Sequence, residues 1–135
     1  MENEYLTMLL RLVFALFAGG FIGLERSYHG RPAGFRTHTL VCTASTVLML
    51  FSVNQWEFVA DAHVETVRID PTRMAQGIMT GIGFLGAGVI MKENLAIRGL
   101  TTAASIWMTA SIGIIIGVGF YFPAAVAFLM TLGIL

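Results

Sequence analysis

Lysine is nearly absent: Lys92 is the one example among eight basic residues in a chain of 135. Acids also number eight, so the formal net charge is zero and a nucleic-acid partner has no electrostatic footprint. There is one cysteine, Cys42, which excludes an internal disulfide and, in an apolar segment, reads as a small buried residue. Charged residues are scarce at 12%, against 56% hydrophobic, a balance that places the chain in the membrane class. The first apolar run has acidic Glu2 and Glu4 before it and no small-residue cleavage site, so it reads as an uncleaved span rather than a signal peptide. Nucleophile–base pairs, phosphate loops and metal-ligand spacings are also missing. Ser105 and Ser111 sit in apolar helix with no base nearby in sequence, so no catalytic residue and no enzymatic activity are expected.

What the chain does have is glycine, concentrated in Gly77–Ile–Met–Thr–Gly–Ile–Gly–Phe–Leu–Gly–Ala–Gly88. The run lies in an uncharged stretch, Met74 to Met91, long enough at about 1.5 Å per residue to cross most of a bilayer core of roughly 30 Å. On a helix Gly77, Gly81 and Gly88 share a face, while Gly83 and Gly86 point to other sides. Bare faces let neighbouring backbones come close, which predicts the middle helix of a bundle. The alternative is a helix broken at Gly81–Gly83 around a binding site.

Five spans are expected. The first is Tyr5 to Leu24, interrupted by Arg11, which shares a side with Ala15, Ala18, Gly19 and Ile22. Arg11 either snorkels to the headgroups or turns inward to meet a carboxylate. The second runs from about Thr37 to Asn54, with Thr39, Thr43 and Thr46 on one face, suited to hydrogen bonds along their own helix or across to another. Asp70–Pro71 is a helix start for the third. Lys92, Glu93 and Arg98 occupy a short connection with Asn94 as turn former. From Gly99 to Leu135 there is no charge, enough for two spans with Pro123, after Tyr121–Phe122, as the turn between them. In the fourth, Thr102, Ser105, Thr109 and Gly113 form a narrow stripe. The fifth, Phe122 to Leu135, reaches only about 20 Å, which predicts a chain that ends early. Basic first and third connections against an acidic N-terminus and second connection put the N-terminus outside and the C-terminal end in the cytoplasm.

Two places carry candidate chemistry. The loop Glu25–His38 holds Arg26, Arg31 and Arg36 against Glu25. Arginine forks match phosphate and carboxylate, which makes an anion or partner patch. The plainer reading is orientation by positive charge with a Glu25–arginine ion pair. His29 and His38 are too far apart for a metal site and read as solvated loop histidines. Asp70 and Arg73 form a helix cap with a local ion pair, or pair with Arg11. Acidic Glu57, Asp61 and Glu65 attract Mg²⁺ but show no coordination pattern, so no metal ligand is assigned.

The stretches Gly23–Leu–Glu–Arg26, Gly30–Arg–Pro–Ala–Gly–Phe–Arg–Thr–His38, Asp70–Pro71 with Arg73, Gly81–Ile–Gly–Phe–Leu–Gly–Ala–Gly–Val–Ile90 and Arg98–Gly–Leu–Thr–Thr–Ala–Ala–Ser105 together resemble the MgtC/SapB family. The match covers nearly everything from the end of the first span to the fourth. The resemblance implies a bacterial inner-membrane protein tied to growth in low magnesium and, in pathogens, to survival inside macrophages. It implies a regulator more than a transporter, linked to restraint of the F-type ATP synthase and to potassium and phosphate handling, and bound by a small membrane peptide that promotes degradation. Many members carry an ACT-like cytoplasmic domain after the fifth span; residues 1–135 read as the transmembrane domain without that soluble domain. The motifs nominate Glu25, Arg26, Arg31, Arg36, Asp70, Arg73 and Arg98 as functional residues.

Three readings follow. The first is an all-α bundle of five transmembrane helices that regulates by lateral contact, as a homo-oligomer in lipid, with Gly77, Gly81, Gly83, Gly86 and Gly88 as packing residues. The second is a Mg²⁺ or phosphate transporter or channel lined by Arg11, Asp70, Arg73 and the hydroxyl stripes. The third is packing alone, under which Arg31→Ala and Arg36→Ala leave low-magnesium growth intact.

Overall fold

A computed structural model describes residues 1–58 and 68–135. Over these residues the chain forms five helices: α1 (Glu2–Tyr28), α2 (Phe35–Val53), α3 (Pro71–Val89), α4 (Leu100–Val118) and α5 (Tyr121–Ile134). A hairpin of β1 (Met91–Glu93) and β2 (Ala96–Arg98) joins α3 to α4, with Met91 opposite Arg98. By length and apolarity α1 and α4 suffice to cross a membrane, and α5 is a shorter apolar helix.

The interior of the bundle carries polar groups beside its buried Ile22, Met49, Ile106 and Ile112, and its surface carries many large apolar ones. Buried positions include Arg26, His38, Ser45, Thr46, Thr102, Ser105 and Thr109, while Phe84, Phe122, Leu40 and Leu129 lie on the surface. Burying hydroxyls costs little when each finds a carbonyl. Ser45 donates to Val41 O, Thr109 to Ser105 O, and Thr46 is shared between Cys42 O and Gly113 O on the facing helix. Thr43 alone of the stripe on α2 has a buried hydroxyl with no partner. Large apolar groups outside and satisfied polar groups inside are what a lipid solvent selects.

The central helix is α4, which touches all four others. Its approach to α2 is set by glycine: a Cβ at Gly117 would stand 2.6 Å from Met49 Cβ, and one at Gly113 would strike Cys42 O. On the other side of α2, a Cβ at Gly19 would meet His38 O and Cys42 Cβ, and one at Gly23 would meet Phe35 Cα. The small faces of α1 and α4 are therefore used within the bundle, against α2.

The expected centre is not where the glycine run sits. Helix α3 is continuous, so it is not broken at Gly81–Gly83, but it lies at the edge against α4 and α2. A Cβ at Gly77, Gly81, Gly83 or Gly88 would meet nothing within 4 Å. Gly86 alone of the five is buried, at 3.7 Å from Ala103 Cβ. Small residues permit close approach; they do not say which backbone approaches.

Smaller corrections follow the same physics. Helix α1 runs a turn beyond Leu24, because its last residues pack on α2 and α4, and α2 begins at Phe35 instead of Thr37. The break before α5 falls at Gly119, in the left-handed region at φ +97°, with its N–H bonded to Ile115 O and Ile116 O. Pro123 lies in the first turn of α5, where a missing N–H leaves no bond unmade. Among the described residues Arg11 meets no carboxylate: Nη1 donates to Gly117 O at 2.8 Å and Nε to the Tyr121 hydroxyl at 3.2 Å. A cation at the C-terminus of α4 also complements the helix dipole. Asn94 supplies the left-handed turn residue of the hairpin, at φ +55°.

Asp70 caps α3 as expected, accepting from Thr72 N at 3.0 Å and from the Thr72 hydroxyl. Those donors, with lesser help from Arg73, hold its carboxyl below the usual carboxylate range. A depressed native value means the cap is fully present above the unfolded carboxylate range and lost as pH falls through the lower native one. Protection of the Thr72 N–H from hydrogen exchange, taken relative to the intrinsic rate at each pH, should hold through mildly acidic pH and fall only below it; in Asp70→Ala it should be low throughout.

A basic cavity at the hairpin end of the bundle

The last turn of α1, the α1–α2 turn, the end of β2, the start of α4 and the end of α5 meet around a cavity of about 780 Å³. Its walls include Glu25, Arg26 and Arg31 from the first connection and Arg98 from far along the chain, drawn from three of the motifs quoted above. Both basic connections therefore lie at one end. Arg36 is exposed on α2 and does not line the cavity. Asp70 and Arg73 lie at the opposite end of α3, exposed and 4.0 Å apart. They pair with each other, and Arg11 is engaged elsewhere. Asp61 and Glu65 lie outside the described residues. Among the described residues no three His, Cys, Asp or Glu side chains stand close enough to hold a metal ion.

Arg26 forms the floor. It is 3% exposed, and its Nη2 donates to Pro32 O at 3.0 Å and to the Thr102 hydroxyl. Its Nε is buried with no acceptor. The expected Glu25–arginine ion pair is replaced: the Glu25 carboxylate lies 2.8 Å from His29 Nδ1, one helical turn away. Arg98 sits at the rim, 3.4 Å from Glu93. Helix α4 enters the site N-terminus first, from Gly99 at φ +92°, and no side chain caps it.

Behind Arg26 runs a buried polar chain that sequence reasoning missed. His38 is not a solvated loop residue but lies fully buried in α2, with Nε2 2.9 Å from Ser105 Oγ and Nδ1 3.0 Å from Gly34 O. Ser105 Oγ in turn lies 2.8 Å from the backbone oxygen of Thr102, the residue whose hydroxyl accepts from Arg26. The spacing of Thr102 and Ser105 was visible as a stripe; nothing in sequence said that a histidine from another helix would face it.

A second concavity is apolar. Between α2 and α3 a groove of about 450 Å³ is lined by Leu40, Ala44, Leu48, Gly77, Ile78 and Gly81 among others.

A profile of the MgtC family matches residues 12–135. The protein named "Putative magnesium transporter YhiD" of Escherichia coli (strain K12) is 43% identical over 127 residues, 94% of this chain and 58% of its own length. "Protein MgtC" of Brucella abortus (strain 2308) is 42% identical over 116 residues, 86% of this chain and 44% of its own. "Protein MgtC" of Salmonella typhimurium (strain 14028s / SGSC 2262) is 41% identical over 124 residues, 92% of this chain and 49% of its own. The chain thus spans about half the length of the curated relatives it matches. No solved structure matches it.

Proposed function

Since this chain belongs to the MgtC family, we propose that it acts as a regulatory protein of the bacterial inner membrane, supporting growth in low magnesium through lateral contact with other membrane proteins. The observation that carries this reading is the open glycine face of α3. Gly77, Gly81 and Gly88 are bare positions on one side of a peripheral helix, two of them lining the groove with α2, and they offer a backbone at close range to a further transmembrane helix. A second copy of the chain and the membrane subunits of the F-type ATP synthase are the proposed occupants, and the small regulatory peptide is a third by family resemblance. No catalysis is assigned.

In this reading the chain crosses the membrane five times. Helices α2 and α3 have the same 19-residue length as α4, about 28 Å, and pack alongside it. With the basic end cytoplasmic, the N-terminus lies outside and α5 runs inward.

A photocrosslinking residue at Gly81 or Leu40, in native membranes, is expected to form an adduct with a second copy or an ATP synthase subunit. The same residue at Leu129, on the surface of α5, is expected to label lipid. Lipid labelling alone at all three positions would refute lateral contact.

The competing reading, magnesium transport, draws on the name of the relative from E. coli K12. The residues suggested for its path do not converge: Arg11 is held by the end of α4, and Asp70 and Arg73 form a surface pair. Mg²⁺ uptake by liposomes containing the protein would nevertheless establish it.

A further inference from the structure

We propose that the cavity beneath the β1–β2 hairpin binds a phosphoryl group, carried either by a lipid headgroup or by free inorganic phosphate. The proposal starts from Arg26, a guanidinium almost wholly removed from solvent whose Nε lacks an acceptor and whose Nη2 is spent on neutral oxygens. A buried cation without an anion is unfavourable, and a ligand that supplies the negative charge removes that penalty. The surroundings fit an anion and oppose a cation. Arg31 and Arg98 line the same walls; the one acid among the lining residues, Glu25, is turned to His29, and Glu93, outside the lining, pairs with Arg98.

The start of α4 adds backbone donors. No side chain caps the start of α4 at Gly99, residues Gly99 to Thr102 line the cavity, and the helix dipole favours negative charge at that end. A tetrahedral oxyanion can accept from guanidinium groups on one side and helix amides on another, which a planar carboxylate does less well. Ile134 and Leu135 make part of the wall apolar. The inference is independent of lateral contact through α3, which lies outside this cavity.

The test uses the chain purified in an uncharged detergent. In one arm, sodium phosphate is titrated calorimetrically and compared with chloride and acetate at matched ionic strength. In the other, nanodiscs of phosphatidylcholine with and without phosphatidylglycerol are compared for lipid retained in native mass spectrometry. Binding of phosphate in the first arm identifies the free ion as a source; selective retention of phosphatidylglycerol identifies a headgroup. In whichever arm binds, Arg31→Gln with Arg98→Gln should weaken it by about tenfold or more, as expected for the loss of charge-assisted contacts. Both side chains are exposed, so the fold should survive. Arg26→Gln should abolish binding. Equal binding of acetate, no binding in either arm, or binding unchanged in the Arg31→Gln/Arg98→Gln protein would overturn the proposal.

Discussion

Gly117→Val is expected to destabilise the bundle by about 2–3 kcal/mol, in the upper range for overpacking, while Gly81→Ala leaves stability unchanged or slightly raises it. At Gly117 the new Cβ would lie 2.6 Å from Met49 Cβ and 3.1 Å from Thr46 O, both on α2. A Cβ and a backbone carbonyl cannot rotate away, so α4 must retreat from α2. That retreat stretches the 2.8 Å bond from the Thr46 hydroxyl to Gly113 O, and because α4 also touches α1, α3 and α5, no neighbour is left undisturbed. At Gly81 nothing stands within 4 Å, and alanine is the better helix former by about 1 kcal/mol in water. Unfolding midpoints in micelles decide the matter. A damaging Gly81→Ala with a silent Gly117→Val would put α3 at the centre in place of α4.

That contrast also marks what could be read from the residues. The length and apolarity of α1 and α4 were legible because lipid imposes a simple rule on composition. So were the Asp70 cap with proline behind it and the Asn94 turn, because each is a local bargain between a side chain and its own backbone. The position of α3 was not. Gly81 and Gly117 look alike in sequence, and only the partner helix distinguishes a face already filled from one left open. The same holds for Arg26 and His38. Both were read as members of a polar loop, yet helices α1 and α2 extend into that loop and carry both side chains inward, where Thr102 and Ser105 receive them. The convergence of Arg26, Arg31 and Arg98 depends on α4 returning to the end where α1 stops. Charge alternation between loops predicted that return, but could not say that the arginines would share one cavity.

The buried chain behind Arg26 yields the second large effect, through proton accounting. Gly34 O can only accept, so His38 Nδ1 carries a proton. With neutral imidazole, Nε2 must then accept from the Ser105 hydroxyl, whose single proton is no longer available to Thr102 O. With imidazolium, Nε2 donates to Ser105 and Ser105 donates to Thr102 O. In either state Ser105 is the sole partner of Nε2 among the described residues, so Ser105→Ala strands a buried ring nitrogen and should cost about 1–3 kcal/mol. His38→Leu removes both ring nitrogens together, and their partners keep other bonds: Gly34 O still accepts from His38 N, and Ser105 still has Thr102 O. The double variant should therefore be less destabilised than the two single changes added together, by about 1 kcal/mol or more if the pair is coupled as its contact distance implies. Strict additivity of the unfolding free energies would mean that His38 and Ser105 are neighbours without a bond, and the chain from the cavity to the middle of the bundle would end at Thr102.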